Sequence, residues 1–272
     1  MALRCVYCDL DGTLLGRGGS LLHDHAGAFS LLGVRAAEAC DRADVELVLF
    51  SGRRKAQVAE PARLLGQRAY IYESGSVLVA DGEEEFLTGG LIPRDGTTIQ
   101  EQIGATGAPA LLLEHFAGRL EYHDPWHLDR EVSHLFRGDV DAFEADALLA
   151  DRGHEDLRLV DNGAIGVRMA GIEQPRAYHL IPRVASKARA VERHRQLRGY
   201  APEETIAVGD SREDIGAAPA VGTFWLVANA LEKDPTVAAA LAEVGNVRIA
   251  EERNGAGVYE AVITELAERR GS

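Results

Sequence analysis

Cysteine is scarce, with three residues in a chain of 272. An odd count leaves at least one thiol unpaired, which fits a reducing compartment rather than a disulfide scaffold. Cys5 and Cys8 form a C-x-x-C, but no second pair and no His pair follows at zinc spacing. On a strand the two thiols would face opposite ways, so buried strand cysteines are expected. Long apolar runs are lacking too. No hydrophobic stretch reaches the 18 residues of a membrane-spanning helix. Met1-Ala2-Leu3-Arg4 enters the first strand without the layout of a signal peptide, so a cytoplasmic location is expected. Positive charge is in the minority, 29 Lys and Arg against 43 Asp and Glu, for a formal net charge of −14. A phosphate backbone or an anionic membrane would be repelled overall, so neither is an expected partner. A small anionic substrate is still allowed, because a local cation overrides the global field. No heptad or long apolar stripe points to an oligomeric state.

What is present suits a sizeable fold. At 46% hydrophobic, the chain can bury one large core, or a core plus an accessory domain. The first strand, about Arg4 to Asp9, is continuously apolar, as in a parallel sheet covered on both faces, and stops at Asp9-Leu10-Asp11-Gly12-Thr13. Gly16-Arg17-Gly18-Gly19-Ser20 lacks the Gly-Lys-Ser/Thr of a P-loop and does not complete G-x-G-x-x-G, so it reads as a flexible loop. A helix near Gly33 to Ala43 leads to Val45-Glu46-Leu47-Val48-Leu49-Phe50, which ends in Ser51-Gly52-Arg53-Arg54. A further helix, then strands at 69–72 and 77–79, precede the acidic run Asp81, Glu83, Glu84 and Glu85, read as a solvated linker between lobes.

From there to about Arg183 the pattern suggests a separate small α+β domain, with helices near 97–104 and 140–151 and strands at 157–160 and 177–181. His123, His127 and His134 lie within it. The first two have H-x-x-x-H spacing, but Pro125 between them argues against a helix that would present both to a metal. At Ser186-Lys187 the sheet pattern resumes. Ser186 is a good N-cap for a helix through Leu197, which puts Lys187 in its first turn. Thr205-Ile206-Ala207-Val208 then stops at Gly209-Asp210-Ser211-Arg212-Glu213-Asp214, the third apolar run to end in charge. Strands at 223–227 and 246–249 and a last helix from Val258 to Arg269 complete a doubly wound α/β pattern. In such sheets the ligand lies at the carboxyl ends of the strands, so the three polar strand ends should converge.

Clustered carboxylates repel and take up protons unless a cation neutralises them. A hard divalent ion with oxygen ligands, Mg²⁺ above all, meets that need and favours phosphate oxygens. A free aspartate could then attack phosphorus, dividing one hard displacement into two easier ones. Phosphate monoesters are the natural substrates, because their uncatalysed hydrolysis leaves room for accelerations of about 10²¹-fold.

Asp9-Leu10-Asp11-Gly12-Thr13, Ser51-Gly52-Arg53, Lys187 and Gly209 to Asp214, in that order, resemble the four motifs of the haloacid dehalogenase-like superfamily. The resemblance covers the core and implies a doubly wound, Rossmann-like parallel sheet over 1–82 and 184–272 with an α+β cap inserted at 83–183. It implies that Asp9 is the nucleophile and a Mg²⁺ ligand. Asp11 would be the acid and base and would ligate the metal through its carbonyl. Ser51, Gly52, Arg53 and Lys187 would bind the phosphoryl group, and Asp210 and Asp214 would complete the metal site.

Asp11 and Ser51 lie 40 positions apart and Ser51 and Lys187 136 apart, so the cap falls between the second and third motifs. That resembles the branch of the Cof-type sugar phosphatases, sucrose-phosphate phosphatase and mannosyl-3-phosphoglycerate phosphatase. Tyr70 to Gly75 is similar to their Glu-Asn-Gly segment, and Gly255-Ala256-Gly257-Val258 to their closing turn. Ser74 replaces the Asn of the former, and Glu213 stands where Asn usually precedes the last Asp. The implied activity is Mg²⁺-dependent hydrolysis of a small phosphorylated metabolite, a sugar phosphate or phosphorylated sugar acid. The rival readings are a sugar phosphomutase of the same fold and a non-catalytic sensor of phosphate ligands. His115, His123, His127 and Arg168 are the expected substrate contacts from the cap.

Overall fold

The computed structural model describes residues 1–270; the last two positions of the expected core segment 184–272 lie outside the described residues. The elements, in chain order, are β1 (Cys5–Cys8), α1 (Leu32–Arg42), β2 (Glu46–Phe50), α2 (Lys55–Leu64), β3 (Ala69–Tyr72), β4 (Val77–Ala80) and β5 (Glu83–Phe86). There follow α3 (Ile99–Ala105), α4 (Ala108–His115), β6 (Leu120–Tyr122), β7 (His134–Gly138), α5 (Ala142–Asp151), β8 (Leu157–Ala164) and β9 (Arg176–Pro182). The chain ends with α6 (Lys187–Arg198), β10 (Thr205–Gly209), α7 (Arg212–Ile215), β11 (Thr223–Leu226), α8 (Asn229–Lys233), α9 (Val237–Leu241), β12 (Val247–Ile249) and α10 (Asn254–Arg270).

Eight strands form the main sheet in the order β12-β11-β10-β1-β2-β3-β4-β5. From β12 to β3 they run parallel, and β4 and β5 close the edge antiparallel. β1 is continuous in apolar character because both its faces are covered. Val6 and Cys8 face the core shared with α1 and α10, whereas Cys5 and Tyr7 face α6. The two thiols diverge as strand geometry requires, and both are free and buried.

Two sequence expectations need correction. The acidic run 83–85 is no linker but the edge strand β5, in register with β4 through Val77 and Phe86. Its carboxylates are matched by cations from neighbouring helices, Glu84 by Lys55 at 3.0 Å and Glu85 by Arg193 at 2.8 Å. Charge of this kind also blunts an exposed edge against pairing with another chain. Gly255-Ala256-Gly257 is the first turn of α10 rather than a loop before it. A Cβ on Gly255 would lie 2.9 Å from the Cα of Gly33, so glycine here lets α1 and α10 cross closely.

The segment between β5 and α6 folds as an antiparallel sheet, β6-β7-β9-β8, with α3, α4 and α5 on one face. The period of two sorts its residues. Phe136, Tyr178 and Leu180 enter the helix-covered core, while Leu135, Ala177 and His179 face the other way, into a cavity over the main sheet.

Candidate active site

The order β10-β1-β2 explains why the polar strand ends meet. The chain starts at β1, builds outward through β2, and returns on the other side of β1 with β10, so a topological switch point lies beside β1. Being parallel, the three strands deliver Asp9, Ser51 and Asp210 at the same end of the sheet.

Asp9, Asp210 and Asp214 each offer a carboxylate oxygen, and these atoms lie within 4.8 Å of one another. Asp214 is held by the capping box of α7. Its Oδ2 accepts from the Asp210 and Ser211 amides at 3.1 and 3.0 Å and from Ser211 Oγ at 2.7 Å. Lys187 sits among the acids, with Nζ 2.5 Å from Asp214 Oδ1, 3.1 Å from Asp9 Oδ1 and 3.3 Å from Glu213 Oε2. Burial raises the Asp9 carboxyl well above its ordinary range against the pull of Lys187, and Asp214 and Asp210 add to the rise. Burial would depress the Lys187 ammonium, but Asp214, Asp9 and Glu213 prevail and hold it well above its usual value.

Several close backbone approaches fix this arrangement. Glu73, Ser74 and Gly75 all have positive φ. A Cβ on Gly75 would meet the Ser186 carbonyl at 2.2 Å, so this strained turn seats the first residues of α6 and with them Lys187. Gly12 has φ +86°, and a Cβ there would lie 2.2 Å from Asp210 Oδ2. Asn229 Nδ2 donates to the Gly12 carbonyl at 2.8 Å and Asn254 Nδ2 to the Leu15 carbonyl at 2.9 Å, tying down the turn after Asp11.

Arg53 and Glu213 have partners that the sequence did not announce. Asp11 is set apart from the other acids, its side chain 56% exposed, and Arg53 grips both its oxygens at 2.6 Å. Arg53 is thus engaged by an acid rather than free for phosphate. Glu213 binds Lys187, and both line a neighbouring groove rather than the wall of the active cavity, so Glu213 enlarges the acid ring around an ammonium that reaches the cavity only through its contact with Asp9. Lys233, on the short helix α8, carries no sequence signal, yet its Nζ lies 2.8 Å from Asp210 Oδ2.

A cavity of about 660 Å³ opens between these strand ends and the four-stranded sheet. Of the expected cap contacts His123 alone lines it. His115 packs on Phe116 and lies 3.6 Å from Glu144, His127 stacks on Tyr122, and Arg168 is exposed on the loop between β8 and β9. None of these three side chains lines the cavity, although Trp126 and Gly166, near His127 and Arg168 in the chain, do. The cavity wall instead uses Trp126, Arg130, Asn162 and His179.

Lobe and sheet are joined around Glu73. Its carboxylate accepts from the amides of Glu131, Val132 and Ser133 and from Ser133 Oγ. His179 is neutral, since burial and then the charges of Arg130 and Lys187 push it well below the usual range. Burial, with Arg137 and Arg130, lowers His123 from 6.5 to about 4. A depressed histidine contributes stability that is complete above pH 6.5 and is lost as pH falls toward 4, where the unfolded chain binds the extra proton. His123→Gln is expected to flatten the loss of thermal stability over that interval. Melting temperatures of both proteins at pH 6.5 and 4 check it, and parallel slopes would contradict it.

The donor set fits a magnesium ion. Three buried carboxylates supply hard oxygens, and the raised Asp9 and Asp210 carboxyls are those a divalent charge would lower again. The second metal-like group, Cys5, Glu46 and His194, lies with Cys5 at the opposite end of β1.

No family model matches the chain. A phosphoglycolate phosphatase of Halorubrum lacusprofundi is 28% identical over 223 residues, which cover 82% of this chain and 83% of that protein. The sucrose-phosphatase of Synechocystis, solved with sucrose and phosphate, is 16% identical, with a TM-score of 0.65 over 97% of this chain and 98% of its own. A haloacid dehalogenase-like hydrolase of B. subtilis is 18% identical, with a TM-score of 0.61 over 96% and 99%. The chain thus shares the fold of these solved hydrolases, is similar over most of its length to a phosphoglycolate phosphatase, and gathers its four motif groups around Asp9.

Proposed function

We propose that the protein is a Mg²⁺-dependent hydrolase of small phosphate monoesters that works through an aspartyl phosphate on Asp9. The observation that carries this reading is the buried Asp9 carboxylate at the tip of the central strand, opening on the cavity with Lys187 at 3.1 Å and the Asp210 and Asp214 oxygens in reach.

Asp9, Asp210 and Asp214 would hold the metal, which when bound supplies positive charge to the phosphoryl oxygens. An Asp9 oxygen attacks phosphorus as the bond to the leaving oxygen breaks, and Asp11 donates the proton that the leaving alkoxide needs. In the second half Asp11 takes a proton from water, the water oxygen attacks phosphorus, and the Asp9 carboxylate leaves with inorganic phosphate set free. Ser51 and Lys187 bind the group in transit. Arg53, clamped on Asp11, orients it at the rim. The lobe from about residue 87 to 183 acts as the cap that selects the substrate and keeps bulk water out.

Among small metabolites, the names of the curated relatives put 2-phosphoglycolate first in a panel that also holds sugar phosphates and phosphorylated sugar acids. Phosphate release is expected with Mg²⁺ and is expected to vanish in EDTA and return when Mg²⁺ is restored. Release undiminished by EDTA would refute the metal assignment, and an isomeric sugar phosphate in place of inorganic phosphate would identify a mutase.

A further inference from the structure

We infer that Arg130 is a carboxylate reader, so that the preferred substrates are phosphorylated two- or three-carbon hydroxy acids rather than neutral sugar phosphates; this rests on the phosphatase reading above. Arg130 stands in the loop between β6 and β7, its side chain 2% exposed, and lines the cavity. Its Nε donates to the Trp126 carbonyl at 3.1 Å, and Nη1 donates to the Gly52 carbonyl at 3.1 Å and to Ser133 Oγ at 2.8 Å. Nη2 has no partner among the described residues.

The charge is also under-matched. The other cations of the cavity wall each touch an acid, Arg53 with Asp11 at 2.6 Å and Lys233 with Asp210 at 2.8 Å. For Arg130 the nearest acid is Glu73 at 3.8 Å, whose oxygens already accept four hydrogen bonds from the cap. A guanidinium stays charged at any working pH, and a buried one without a close counter-charge is costly. An anionic group of the substrate entering the cavity supplies that charge in a charge-assisted hydrogen bond.

That anion belongs to the leaving group rather than to the phosphoryl end. The phosphoryl end would have Lys187, 3.1 Å from Asp9, and the metal that Asp9, Asp210 and Asp214 would hold, whereas Arg130 is the one charged residue that the cap brings to the cavity wall among the described residues. Its cap neighbours His123 and His179 are held neutral and offer hydrogen bonds without charge. Length follows from the bond to Gly52. The guanidinium is anchored one residue from Ser51, so phosphorus and carboxylate must be only a few bonds apart.

The test is a matched pair, 2-phosphoglycolate against 2-hydroxyethyl phosphate, which differ in a terminal carboxylate or alcohol. The unmodified protein is expected to favour phosphoglycolate in kcat/KM by roughly 10- to 100-fold, the range for a hydrogen bond between charged groups. Arg130→Gln is expected to bring the ratio close to one, mainly through the KM for phosphoglycolate, and Arg130→Lys to keep part of the preference. A ratio near one in the unmodified protein overturns the inference and needs no variant to fold. Equal loss toward both esters in Arg130→Gln also overturns it, because a phosphoryl-binding or purely structural residue would act so. Release from hexose phosphates but from neither of the pair overturns it while the phosphatase reading stands. Release from no monoester at all would instead be the failure of that reading.

Discussion

Asp9→Asn is expected to lower the rate of phosphate release by on the order of 10⁴-fold or more, a barrier increase of about 5.4 kcal/mol, with the fold intact. The amide is nearly isosteric but is no nucleophile, and it removes one acid from a group whose burial already raises the Asp9 and Asp210 carboxyls. Asn Oδ1 can still accept from Lys187 Nζ, and Lys187 keeps Asp214 and Glu213. The melting temperature should therefore hold or rise. Phosphate release with a good substrate, alongside a thermal melt, reads both halves. Acid quench of the unmodified enzyme during turnover should trap protein-bound phosphate that hydroxylamine releases, and the variant should trap none. Undiminished release in Asp9→Asn would remove Asp9 as nucleophile. A sensor that only binds phosphate ligands predicts no turnover in either protein, so the same experiment decides against that alternative.

The core of this site was legible because it is built by strand ends. A buried parallel strand is almost uniformly apolar, so a carboxylate or serine at its tip stands out, and topology alone brings β10, β1 and β2 side by side. Lys187 was legible for a related reason, since Ser186 marks the start of α6. Lys233 and Arg130 carry no comparable signal. Lys233 lies on the five-residue helix α8 and Arg130 in the irregular segment between β6 and β7, where no period of two or 3.6 says which way a side chain points.

In the lobe built on the four-stranded sheet, residue type was a poor guide because the choice is made by the faces of that small sheet. His179 and Tyr178 are neighbours, yet one meets the cavity and the other the core under the helices. A strand register that sequence cannot locate decides which is which. The same holds for the acidic segment at 83–85. Three consecutive glutamates look like solvated linker, yet they pair with β4 as an edge strand, and cations of α2 and α6 match two of them.

Lys187→Met is expected to be inactive and, unlike Asp9→Asn, clearly less stable. The ammonium is 2% exposed and lies within 3.3 Å of three acids, Asp9, Glu213 and Asp214. Methionine matches its length and its contact with the Phe50 ring, which now lies 4.8 Å from Nζ, so the substitution removes charge without opening a large void. Deleting one partner of a buried ion cluster leaves the others uncompensated, at a cost of about 3–5 kcal/mol. For a domain of this size that is a drop in melting temperature on the order of 10 °C at pH 7.

The sign of the pH dependence follows from the acids left behind. Without Lys187 their folded-state pKa values rise further, because the charge that lowers them at Asp9 and Glu213 is gone. A carboxyl raised in the folded state contributes stability at low pH that is lost as pH rises through the folded value. The stability gap between the variant and the unmodified protein should therefore narrow as pH falls from 7 toward 5. Urea unfolding of both proteins at the two pH values measures it. A gap that is absent at pH 7 would mean that Lys187 is not what neutralises the acid cluster, and a gap that stays constant would point to lost packing. Either result would also weaken its assignment to the phosphoryl group, because the same ammonium held over Asp9 is what would meet the phosphoryl oxygens as Asp9 bonds to phosphorus.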